Sequence, residues 1–157
     1  MPNDITVLGI GNTIYSDEGI GVHVLAYVEK ALKEFSNVTI MEGATDGMRL
    51  LGPIEETNHL IILDAINAGK EPGEVIVLER DEIPAYYGIK MSIHQIGFQE
   101  VLGAAQLLEK LPEHMIMFGV QPEVLDFGVG ISDSVRKQIP TLVDLVKQKV
   151  EEWGDKK

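Results

Sequence analysis

None of the 157 residues is cysteine. That absence removes disulfides, thiol nucleophiles, iron–sulfur ligation and cysteine-based zinc sites together. Metal binding or catalysis must therefore use oxygen and imidazole ligands, and the composition suits a reducing compartment. Cationic side chains are scarce as well. Thirteen Lys and Arg stand against 25 Asp and Glu, a formal charge of −12. A surface of that sign repels phosphate backbones and anionic lipid, so nucleic acid and membrane surfaces are poor partners. Long apolar runs are also missing. Ile5 to Ile10 is broken by Thr6 and Gly9, and no basic stretch of a signal peptide precedes it. Nothing approaches the roughly 20 apolar residues of a membrane span. The expected location is the cytoplasm.

What remains is ordinary globular material, 45% hydrophobic and 24% charged, long enough for one domain over residues 1–157 with a sizeable core. Ile5–Ile10 reads as a buried strand stopping at Gly11-Asn12. Ser16-Asp17-Glu18 has the form of a helix start with a capping oxygen and early acids. Val24, Leu25, Val28, Leu32 and Phe35 then recur at helical spacing. Val38–Met41 is a second strand, and a short helix bent by Pro53 follows. Leu60–Leu63 is apolar throughout, as a strand buried on both faces should be, and ends at Asp64. The turn-rich linker 68–73 is too short for a crossover helix, so Glu74–Leu78 is expected antiparallel to its predecessor. Residues 81–93 look irregular. A helix is expected from near His94 or Ile96 to about Leu111, then a fifth strand over Met115–Val120. Ser132 is expected to cap a final helix toward Trp153, kinked at Pro140.

Strand and helix alternate, which predicts a three-layer α/β sandwich, phosphorylase/hydrolase-like, with a five-stranded mixed, mainly parallel sheet and helices on both faces. Sites in such sheets lie beyond the carboxyl ends of the strands. If the first and third strands are neighbours, Glu18 and Asp64 face one crevice, and the long connection before His94 can bring its imidazole in. Two carboxylates and an imidazole make a plausible shell for a divalent metal with open positions. A helix amino terminus favours the charged form of Glu18, and an acid ending an aliphatic strand is costly unless paired, hydrogen-bonded or metal-bound. Plainer roles stay open: a first-turn acid for Glu18, a turn cap for Asp64, a surface helix end for His94. Of the other histidines, His23 lies inside the first helix, and His59 and His114 open strands away from this rim.

The glycine-rich turn Gly9-Ile10-Gly11 invites a dinucleotide reading, but Ile14 stands where the fingerprint needs glycine. Asp17 and Glu18 would also face the pyrophosphate with the wrong charge. No Gly-x-Ser-x-Gly elbow supports a serine hydrolase, and the methionines suit core filling.

These residues also carry a resemblance. Gly9-Ile10-Gly11-Asn12 followed by Asp17-Glu18-Gly19-Ile20-Gly21 resembles the opening signature of the hydrogenase maturation endopeptidases. Glu42-Gly43-Ala44-Thr45-Asp46-Gly47-Met48, His59–Ala65 and Ser92-Ile93-His94-Gln95 are similar to their later motifs, in order and at matching spacing. The resemblance implies an endopeptidase that removes a C-terminal extension from the precursor of the nickel–iron hydrogenase large subunit after nickel insertion. It implies that Glu18, Asp64 and His94 contact that nickel, which belongs to the substrate and which zinc or cadmium can replace in crystals. Asp17 is then a supporting or helper carboxylate. Asn12 and the segment Glu42, Gly43, Ala44 and Thr45 are expected to bind and choose the substrate. Many relatives have Asp-Gly-Gly-Thr in that segment, so the departure bears on which hydrogenase is served. A non-catalytic nickel-checking chaperone of the same precursor would use the same residues, and a nucleotide-binding α/β domain is the more distant alternative.

Overall fold

The computed structural model describes residues 4–11, 13, 15–43, 54, 56–89 and 111–155. The strands β1 (Ile5–Ile10), β2 (Val38–Gly43), β3 (His59–Ala65), β4 (Val75–Glu79) and β5 (His114–Val120) form one sheet in the order β2-β1-β3-β5-β4. The first three pairings are parallel and β4 runs antiparallel to β5. All seven residues of β3 are buried, which is why its sequence is apolar without alternation. The edge strands β2 and β4 are only half buried.

Side chains leave each strand alternately to the two faces, and the core divides accordingly. Ile5, Val7, Ile61, Leu63, Ile116 and Phe118 pack on one side against the helices α1 (Ile20–His23), α2 (Leu25–Ala31), α4 (Asp133–Arg136) and α5 (Ile139–Asp155). Leu8, Ile10, Leu60, Ile62, Met115 and Met117 face the other way, toward Ile54, Ile66 and the helix α3 (Glu82–Ile89). The result is the expected three-layer sandwich.

Several local expectations are corrected. β4 is antiparallel, but its neighbour is β5. The central position beside β3 goes to the strand with the longer buried run, and β4, whose Val77 is exposed, takes the edge. Residues 82–89 are helical rather than irregular. The Glu82 carboxylate accepts the Glu79 N–H, and Pro84 falls in the first turn, where its missing N–H costs no helical bond. Pro140 likewise sits in the first turn of α5 and starts that helix instead of kinking it. The helix expected after Ser16 begins as a 3₁₀ turn at Ser16–Gly19 with no side-chain cap, and a single helix through Phe35 is replaced by α1 and α2. The helix predicted near Pro53 and the one from His94 to Leu111 lie largely outside the described residues.

His59 and His114 open β3 and β5 side by side, their rings stacked at 4.4 Å, with Trp153 edge-on to His59 at 5.3 Å. Burial, and then the neighbouring His114, hold the His59 imidazole below its usual 6.5 against an opposing pull from Glu113. The folded chain therefore takes up this proton at lower pH than the unfolded chain does. The stability contributed by neutral His59 is complete above about pH 6.5 and is lost as pH falls from there toward the folded value. Thermal melts taken across that interval should fall less steeply for His59→Phe than for the unaltered chain. Equal slopes would remove this ring as a source of acid sensitivity.

Candidate functional site

β1 and β3 are neighbours and parallel. The chain leaves β1 for β2 on one side, while β3 lies on the other. This is the topological switch point at which α/β sheets open a crevice. The segment after β1 lies over it because three glycines permit close approach. A Cβ on Gly21 would overlap the carbonyl oxygens of Leu63 and Ile10, and one on Gly9 would overlap that of Gly21. Gly11, at φ +147°, lies so close to the Glu18 carbonyl that any side chain there would displace it. The glycine-rich turn thus serves to seat a helix on two strands.

Glu18, half-buried, rides the 3₁₀ turn held down in this way. Asp64 is the penultimate residue of β3 and only 3% exposed. Its Oδ1 accepts the N–H of Ala65, the next and last residue of the strand, at 2.8 Å. Glu42 and Gly43 end β2, paired in register with Gly9 and Ile10 of β1. Glu42 is exposed on the same rim. Asn12, Ala44, Thr45 and His94 lie outside the described residues. Among those described, no three histidine or acidic side chains converge to hold a metal ion. His59 and His114 occupy the amino ends of their strands, opposite this rim.

Asp17 does something its local sequence does not announce. It is fully buried, and its carboxylate accepts four hydrogen bonds from the segment after β5. Oδ2 receives the N–H groups of Glu123 and Val124 and the Ser132 hydroxyl, each at 2.8 Å, and Oδ1 receives the Ser132 N–H at 2.7 Å. The Asp17 N–H returns a bond to the Val124 carbonyl. Ser16, at φ +51°, donates its N–H to Gly128 and its hydroxyl to the Asp126 carbonyl. Both residues clamp the 121–132 loop to the turn that carries Glu18. Neither Ser16 nor Ser132 caps a helix with its side chain, as their positions suggest; both hydroxyls are used in tertiary contacts.

Gln121 makes the corresponding tie to the segment after β3. Its Oε1 accepts the N–H groups of Ala68 and Lys70, and its Nε2 donates to the Asn67 side chain. Among the described residues, the connections leaving β1, β3 and β5 are therefore fastened to one another beyond the carboxyl ends of their strands.

Comparison with known proteins gives a consistent result. A family model described as hydrogenase maturation protease matches residues 22–149. The hydrogenase expression/formation protein HupD of Bradyrhizobium diazoefficiens is 44% identical over 154 residues, covering 97% of this chain and 80% of that protein. The hydrogenase 2 maturation protease of Escherichia coli is 36% identical over 151 residues, covering 96% and 92%. The solved structure of the hydrogenase maturating endopeptidase HybD from E. coli superposes with a TM-score of 0.86 at 35% identity, over 96% of this chain and 94% of that one.

Proposed function

Because the chain belongs to the hydrogenase maturation protease family, a family of hydrolases, we propose that it cuts the C-terminal extension from a nickel-loaded hydrogenase large-subunit precursor. The nickel is the substrate's cargo. Glu18 and Asp64, joined by His94, dock on it and so fix the scissile peptide bond; zinc or cadmium can take its place in a crystal. Water adds to the scissile carbonyl carbon, the carbon–nitrogen bond breaks, and the departing amine takes the proton. The metal, or a carboxylate acting as base, activates that water. The cut takes place in the cytoplasm; among the described residues no helix is long and apolar enough to cross a membrane.

The observation that carries this reading is the seating of the Glu18 turn on β3, the strand whose buried penultimate residue is Asp64. A charge in that position is retained at a desolvation cost, which a cation at the crevice would offset. The exposed Glu42, with Gly43, Ala44, Thr45 and Asn12, would contact the polypeptide and select it.

The test is to incubate the protein with precursor that does or does not carry nickel and to weigh the products by mass spectrometry. Loss of a C-terminal peptide from the loaded precursor alone is expected. Binding without any mass change would replace the peptidase by a nickel-checking chaperone. The turn geometry has its own test. Gly11→Ala pushes the Glu18 backbone away, and misplacement by about 1 Å costs roughly a hundredfold in rate. Cleavage by Gly11→Ala at the unaltered rate would show that the position of Glu18 is not critical.

A further inference from the structure

The 121–132 loop is anchored at its base yet presents apolar side chains to solvent. Phe127 is 76% exposed and Val129 88%, and Leu125 stands out beside them. Such a cluster in a short loop calls for an explanation, since large apolar groups left in water on a fixed segment commonly mark an interaction site. The loop is not loosely attached. Asp17 and Ser16 fasten it by the bonds described above, Tyr15 bridges to Gly128, and the Tyr15 ring meets Phe127 edge-on at 5.8 Å. The same turn that carries Glu18 therefore fixes where these side chains point. A surface ordered in advance loses little conformational freedom on docking.

We propose that this loop is the docking seat for the precursor polypeptide, with Leu125, Phe127 and Val129 receiving an apolar stretch of it beside the scissile bond. The inference rests on the peptidase reading above. Two observations identify the occupant. The seat is bonded to the turn that carries Glu18, so a polypeptide held at Glu18 has the seat beside it. Asp126 is exposed within the cluster on a chain of charge −12, so the matching polypeptide is apolar with basic flanks. Asp17 acts as a positioning residue: it fixes the distance between seat and crevice and touches no substrate.

The experiment is steady-state cleavage of nickel-loaded precursor by the full chain and by the double variant Phe127→Ser, Val129→Ser. Both positions are largely exposed, so the melting temperature should hold. The half-saturating precursor concentration should rise at least tenfold with little change in turnover at saturation, and Val77→Ser, an equivalent change at an exposed apolar position on the edge strand β4, should stay near the original value. If the unaltered chain cleaves and the double variant saturates at the same concentration, the seat is overturned while the peptidase reading stands. If the unaltered chain cleaves no precursor, the peptidase reading itself fails. Sedimentation of both proteins separates the remaining occupant. A dimer that the double variant abolishes, with cleavage unchanged, would assign the patch to a second copy of this chain and overturn the proposal.

Discussion

Asp64→Asn should leave the protein folded and stop the cleavage. Asparagine keeps an oxygen where Asp64 accepts the Ala65 N–H, so the stability change should stay within about 1 kcal/mol, the worth of one hydrogen bond. What it loses is the charge that, in the proposed reaction, meets the nickel. On that proposal, docking on the metal is what would hold the scissile bond in place, and such positioning is worth several kcal/mol. Losing about 4 kcal/mol of it slows the reaction roughly a thousandfold. The measurement is a single-turnover time course on nickel-loaded precursor beside a thermal melt of the same variant. A thousandfold loss with an unchanged melt fits the account. An unchanged rate removes Asp64 from the site, and a collapsed melt would mean that the acid is chiefly structural.

Asp17→Asn should do the reverse, with stability as the first casualty. The carboxylate accepts four bonds in a fully buried setting. An amide offers one acceptor oxygen; in its better orientation that oxygen keeps the Glu123 and Val124 N–H groups, and the NH₂ group is turned against the Ser132 N–H, so that backbone donor and the amide's own hydrogens lose their partners. Each unsatisfied buried donor costs about 1–3 kcal/mol, so the total is about 3 kcal/mol. For a domain of this size that lowers the melting temperature by roughly 6–12 °C. Ser132→Ala is the graded control. It removes one hydroxyl and leaves three N–H donors in place, which should cost about 1 kcal/mol. If Asp17→Asn and Ser132→Ala prove equally mild, the clamp is not what holds the loop.

The two predictions separate because the two neighbouring regions of the rim differ in kind, and the sequence discloses them unequally. The strands were legible because β3 and β5 carry continuous apolar runs and β1 a run broken only by Thr6 and Gly9, a pattern that a sheet covered on both faces explains. Asp64 was legible for the same reason, as a charge that ends such a run. The place of β4 was not, since nothing local to Val75–Glu79 specifies which strand it pairs with. The helix over Glu82–Ile89 was hidden by Pro84 and Gly88, residues that usually signal a break but are tolerated at a first turn and near an end.

Asp17 shows the deeper limit. It stands beside Glu18 in a motif that suggests chemistry for both, yet its partners lie 106 to 115 residues away, and no spacing rule reaches that far. Ser16 and Ser132 misled in the same manner. Each occupies a capping position, and each hydroxyl is taken by a tertiary contact. The glycines of the first motif resemble a phosphate-binding loop in composition. Their use became plain only from the carbonyl oxygens that crowd Gly21 and Gly11. The exposed cluster of the 121–132 loop carried no signal, because isolated apolar residues in a loop are common and their significance depends on what anchors them.

The most direct test of the central claim reads the nickel itself. X-ray absorption at the nickel edge should be recorded on precursor whose scissile bond resists hydrolysis, alone and with a saturating amount of the protein. Added oxygen and nitrogen ligands are expected on the nickel in the complex, and the added oxygen ligands should be lost when Glu18→Gln and Asp64→Asn are combined. A nickel spectrum unchanged by a protein that demonstrably binds the precursor would contradict that claim.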